Sequence, residues 1–113
     1  MPNISVKTNA SVSPESASVI KSALGRAIAL IPGKSETWLM CSVEGSISMN
    51  FQGTDEPCAM VNVEILGDTS RSNCEKLCYE ITDILNKNLS VNKDRIYVKF
   101  EPCDKWGWNG GLF

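Results

Sequence analysis

The chain has no histidine among its 113 residues, so it lacks the one side chain whose ordinary pKa lies near neutrality. Acid–base chemistry at neutral pH must then come from carboxylates, amines or thiols moved from their usual values by their surroundings. A surplus of charge is also missing. Eleven Lys and Arg against thirteen Asp and Glu give a formal net charge of −2, and the basic residues are scattered, which argues against nucleic acid as a partner. No apolar run approaches the roughly 20 residues of a membrane span, so no membrane partner is expected. The opening MPNISVKTNASVSPE has no apolar core of signal-peptide type, which points to the cytosol. Cys41, Cys58, Cys74, Cys78 and Cys103 form no CxxC pair and have no histidine to complete a zinc site. Neither a disulfide framework, a metal nor another cofactor is expected.

What is present is a regular alternation of elements in one domain spanning residues 1–113. Residues 2–8 place Pro2, Ile4, Val6 and Thr8 on one face and Asn3, Ser5 and Lys7 on the other, the pattern of a half-buried strand with proline as its first residue. Ser13-Pro14-Glu15 is a helix start, with a serine cap, proline at the first helical position and an acid facing the dipole. Ala17, Ile20, Leu24, Ala27, Ile28 and Ile31 follow at helical spacing until Pro32-Gly33. WLMCSVE (38–44) predicts a second strand and ISMNF (47–51) a short edge or hairpin segment. CAMVNVEIL (58–66) predicts a central strand, with Gly67-Asp68-Thr69-Ser70 as turn and cap. Cys74, Leu77, Cys78, Ile81, Ile84 and Leu85 mark a second amphipathic helix, on which the two cysteines serve as small buried apolar groups. RIYVKFE (95–101) is the fourth strand, and the tail WGWNGGLF is aromatic and glycine-rich.

This order is βαβ twice, the copies about 57 residues apart, and GKSETWLMCSVE echoes VNKDRIYVKFE after each helix. The pattern predicts an α/β (α+β) fold in which a four-stranded sheet carries both helices on one face. The other face carries Met60, Asn62, Glu64 and Leu66, with Tyr97 and Lys99 beside them or on the helix side. So small a chain cannot cover two apolar faces, and an oligomer is expected to cover the second.

Pro2 is the first candidate for chemistry. Removal of Met1 would expose a secondary amine, and burial together with a nearby cation would keep that amine neutral and able to accept a proton from carbon. Most prolines at this position do nothing, and Lys34 in Pro32-Gly33-Lys34 has a commoner role as a solvated cation near a helix end. Tyr97, Trp106 and Trp108 are more often packing anchors than ligand contacts.

Their combination carries more. MPNISVKTN, PGKSETWLM, GTDEPCAMVNVEILG, DRIYVKF and WGWNGGLF, in that order and spacing, resemble the macrophage migration inhibitory factor family of the tautomerase superfamily almost end to end. The resemblance implies a homotrimer with three sites at subunit interfaces and keto–enol tautomerisation of a small aromatic α-keto acid of the phenylpyruvate or dopachrome type. It implies Pro2 as catalytic base after Met1 removal, Lys34 as the group that holds the substrate carboxylate, and Leu66 as a backbone contact and pocket wall. Tyr97 would come from the neighbouring subunit, and Trp106 and Trp108 would stand at the pocket mouth. Lys99 occupies a position where relatives often carry an asparagine that bonds the substrate; a lysine there adds positive charge or points away, and the substrate preference is left open. Cys58-Ala59-Met60-Val61 lacks the second thiol of the mammalian CxxC pair, so thiol redox activity is not carried over. A different class of function follows from the same resemblance: a cytokine-like protein exported without a signal peptide and acting on a cell-surface receptor, its pocket vestigial.

Overall fold

A computed structural model describes residues 1–113. The order is β1 (Pro2–Thr8), α1 (Pro14–Ala27), β2 (Met40–Glu44), β3 (Ala59–Leu66), α2 (Arg71–Leu89), β4 (Ile96–Cys103), β5 (Gly107–Trp108) and β6 (Gly111–Leu112). The main sheet runs β2-β1-β3-β4. β1 is parallel to β2 and β3 to β4, while β1 and β3 meet antiparallel. Two βαβ units thus face each other across the β1–β3 seam, as the repeated pattern predicts.

Each helix begins where its cap lies. The Ser13 hydroxyl accepts from the Ser16 N–H at 3.0 Å and the Ser70 hydroxyl from the Asn73 N–H at 3.1 Å, satisfying donors that a helix start leaves unpaired. Both helices lie on one sheet face. Ile4 and Val6 of β1 and Val61, Val63 and Ile65 of β3 are buried there with Ile20, Leu24, Ile28, Leu77, Ile81 and Leu85. Strand alternation leaves Met60, Asn62, Glu64 and Leu66 on the open face, half-buried, with Tyr97 and Lys99 exposed beside them. No helix is long and apolar enough to cross a membrane.

Four sequence expectations are corrected. The second strand starts at Met40, and Trp38 belongs to a short 3₁₀ turn, Glu36–Trp38. No strand forms over residues 47–50: the Ile47 N–H donates to the Thr8 carbonyl at 3.1 Å and the Asn9 amide to the Met49 carbonyl at 3.4 Å, single bonds that do not extend into a ladder. The hairpin signal there belongs to Phe51–Thr54, which exchange backbone bonds of 2.9 and 3.1 Å around Gln52 and Gly53, both at positive φ. Cys74 and Cys78 are half-buried rather than buried.

Arg95, the only charged residue in the buried set at 7 % exposure, ties this loop down. Its guanidinium donates to the carbonyls of Pro57 and Glu56 at 3.0 Å each and to Thr54 at 3.4 Å, and it stands 5.3 Å over the Phe51 ring. Arg95→Met keeps the apolar stem but strands these acceptors. It is expected to cost about 2–4 kcal/mol, read as a lowered urea midpoint at unchanged slope.

Candidate active site

The chain's first residues lie at the end of the sheet where three elements meet. Pro2 is buried and paired with Ile65 of β3. Met1 extends past the strand, and its carbonyl accepts from the Leu66 N–H at 2.9 Å. Lys34 arrives from the turn after α1, where Gly33 takes a φ of 82° that a side chain would resist. Its Nζ donates to the Leu66 carbonyl at 2.7 Å. Both backbone groups of Leu66 are therefore engaged, one by Met1 and one by Lys34.

The terminal amine of Met1 is held below the ordinary α-amino value, first by burial, then by the charge of Lys34 and a hydrogen bond with its ammonium. Both effects favour the neutral amine. Pro2, one residue further in, pairs with Ile65, the neighbour of the Leu66 to which Lys34 is bonded. In a chain without histidine, few groups compete for the role of base. Cys41 lines the neighbouring cleft, but burial pushes its thiol up, with Lys21 opposing and Glu36 adding to the shift. That thiol stays protonated and is a poor nucleophile.

The cleft beside Pro2 has a volume of about 850 Å³. Trp38, Trp106 and Trp108 wall it, with Met40, Cys41 and Glu64. The tail supplies two of these walls through a small hairpin, β5 and β6, whose turn is Asn109-Gly110 at φ 51° and 81°. Asn-Gly is the pair that favours such a turn. Trp108 is thereby brought edge-on to Trp38, ring centroids 5.1 Å apart.

Of the seven candidate residues, the structure gathers five at this end of the sheet: Pro2, Trp106 and Trp108 in the cleft, with Lys34 and Leu66 beside Met1. Tyr97 and Lys99 are elsewhere. Tyr97 pairs with Met60, five residues along β3 from the partner of Pro2, about 17 Å at the strand rise. It is 61 % exposed, with the Phe51 ring edge-on at 4.8 Å. Lys99 is bonded to Glu101 at 2.7 Å on the open face. Within one chain neither reaches Pro2.

Trp38 and Glu64 are two of the cleft residues that sequence reasoning missed. Trp38 was absorbed into a strand pattern, though Ser35-Glu36 could have marked a turn. Glu64 alternates correctly on β3, but only the strand order shows that it lies opposite Asn3, whose amide donates to it at 2.8 Å.

The family model for macrophage migration inhibitory factor (MIF) matches residues 1–113. The macrophage migration inhibitory factor homolog of Brugia malayi is 28 % identical over 119 residues, covering 100 % of this chain and 99 % of the relative. The mouse macrophage migration inhibitory factor is 29 % identical over 94 residues, 81 % of this chain and 82 % of the relative. Among solved structures, Leishmania major MIF2 superposes with a TM-score of 0.93 at 26 % identity, covering 100 % of this chain and 97 % of that one. The homologue from Prochlorococcus marinus gives 0.88 at 28 %, covering 98 % of each.

Proposed function

The chain belongs to the macrophage migration inhibitory factor family, and on that premise we propose that it is a keto–enol tautomerase of small aromatic α-keto acids of the phenylpyruvate type, working as a homotrimer with Pro2 as its base. The observation that carries this reading is geometric: Pro2 lines the cleft and pairs with Ile65, and Lys34 is bonded at 2.7 Å to the carbonyl of the next residue, Leu66.

The chemistry follows from the order of groups along β3. With Met1 gone, Pro2 carries a neutral secondary amine and the Leu66 N–H loses its bond to the Met1 carbonyl. That N–H and the Lys34 ammonium form a donor pair suited to a carboxylate. The carbon next to the ketone then meets the Pro2 nitrogen, and the aromatic ring extends toward the tryptophans. The amine takes the carbon-bound proton, and the C–H electron pair becomes the enol double bond. The carbonyl oxygen gains the charge and takes the proton from the Pro2 ammonium, which restores the neutral amine; the reverse path returns the ketone.

The trimer is supported by two features. The open sheet face leaves a large apolar group uncovered at each edge, Met40 of β2 at 72 % and Tyr97 of β4 at 61 % exposure, and neighbouring copies packed against the two edges would cover both. Tyr97 is also too far from Pro2 to serve the site of its own chain, so a neighbouring copy would have to supply it.

The test is the pH dependence of phenylpyruvate tautomerisation in protein lacking Met1. A base must be neutral, so log kcat/KM is expected to rise with unit slope at low pH and level off below the ordinary α-amino pKa. Lys34→Met removes a charge that disfavours the ammonium, so the midpoint should move up while KM for the carboxylate substrate rises. A midpoint unmoved by Lys34→Met, or a flat profile, would remove the Pro2–Lys34 assignment.

A further inference from the structure

All three tryptophans of the chain line the cleft beside Pro2, and Glu64 lines it with them. The rings of Trp38 and Trp108 stand at 86°, so they form a corner rather than a stack. Tryptophan faces attract cations more strongly than those of other aromatic residues. Glu64 adds a carboxylate whose Oε1 accepts from Asn3 and whose Oε2 has no partner in the chain. Lys99 on the same sheet face is bonded to Glu101 at 2.7 Å and feels the Glu64 charge without a hydrogen bond to it, and Lys7 lies at the far end of β1, opposite Met60. Pro2 thus has unlike neighbours on its two sides, Glu64 in the cleft lining and Lys34 outside it, behind Met1. Lys34 is bound to Leu66, Glu64 lies two residues back along β3, about 6.7 Å at the strand rise, and Pro2 pairs with Ile65 between them.

We propose that the Glu64 end of the cleft is a cation-selective subsite, so that the preferred ligands are aryl acids bearing an ammonium group on the ring, opposite the carboxylate. This rests on the reading of the cleft as the substrate site and narrows the substrate class. A plain phenyl ring fills the tryptophan corner but covers Glu64 without pairing it, and a carboxylate loses hydration there with nothing in return. A ring cation supplies the missing partner and meets the indole faces as well.

Two ligands of equal shape isolate the effect: 4-(trimethylammonio)phenylacetate and 4-tert-butylphenylacetate share a carboxylate and differ in the charge of the ring substituent. Intrinsic tryptophan fluorescence, which originates entirely in this cleft, reports the binding of either without turnover. Protein lacking Met1 is expected to bind the cationic ligand about tenfold more tightly than its neutral isostere. In Glu64→Gln the preference should fall to about twofold, and Trp38→Leu should also reduce it, with circular dichroism unchanged in both. Equal affinities in the wild-type protein, or a preference that survives Glu64→Gln intact, overturns the subsite. A preserved preference in a protein that does not tautomerise phenylpyruvate overturns the enzymatic reading alone. Turnover without the preference overturns the subsite alone.

Discussion

Protein that retains Met1 is expected to tautomerise phenylpyruvate about 10²–10⁴-fold more slowly than protein that begins at Pro2, the usual worth of a positioned general base. The cause is structural as well as chemical. With Met1 attached, the Pro2 nitrogen is an amide without basicity, the Met1 carbonyl occupies the Leu66 N–H, and Met1 itself lines the cleft. Base, donor and space are lost together. Two preparations, their N-termini verified by mass spectrometry, provide the comparison. Pro2→Gly separates the base from the other two losses, because glycine leaves the Leu66 N–H and the cleft free but substitutes a less constrained primary amine. Its rate should fall by about tenfold or more, while its strand pairing costs only about 0.5–1 kcal/mol. Full activity in Met1-retaining protein would end the case for Pro2.

Mixing two impaired variants should raise activity above that of either. If Tyr97 serves the site of a neighbouring copy, Pro2→Gly and Tyr97→Ala damage the same site from different chains. In randomly mixed trimers about one site in four then combines an intact Pro2 with an intact Tyr97. Co-refolding the two variants in equal amounts is expected to yield about a quarter of wild-type turnover, far above either variant alone. The geometry explains why a single chain cannot do this. Pro2 and Tyr97 register with Ile65 and Met60 of the same strand, and a tyrosine side chain does not span about 17 Å. Activity of the mixture equal to the mean of its parts would mean that Tyr97 acts within its own subunit or not at all.

The parts of this site differ in how visible they are in the sequence. Pro2 and Lys34 are candidates on local chemistry, an amine at a strand start and a cation behind Pro32-Gly33, but each is weak alone and only the resemblance carried by MPNISVKTN and PGKSETWLM singles them out. Trp38 could not be singled out, because alternation across WLMCSVE is equally consistent with a strand that begins two residues earlier. The Phe51–Thr54 hairpin was misjudged for a similar reason, since Gln52 carries no turn signature although it adopts a positive φ. Cys74 and Cys78 have the spacing of core positions but lie at the margin of the buried stripe.

The sequence by itself determined the two βαβ units, the start of the first helix at Ser13, the turn and cap before the second, and the buried face of β1, while it left the face of β4 open. These depend on neighbours within a few residues, through capping and through periods of 2 and 3.6. It also determined that, without histidine, a proton acceptor at neutral pH had to be an unusual group. The tertiary structure alone decided which groups meet. The antiparallel seam of β1 and β3 sets Pro2 against Ile65 and Asn3 against Glu64, across some 60 residues of chain. The Asn109-Gly110 turn swings Trp108 onto Trp38, and burial beside Lys34 lowers the terminal amine. Register, contact and desolvation are properties of space rather than of spacing along the chain, and the Met1-Pro2 terminus owes its chemistry to them.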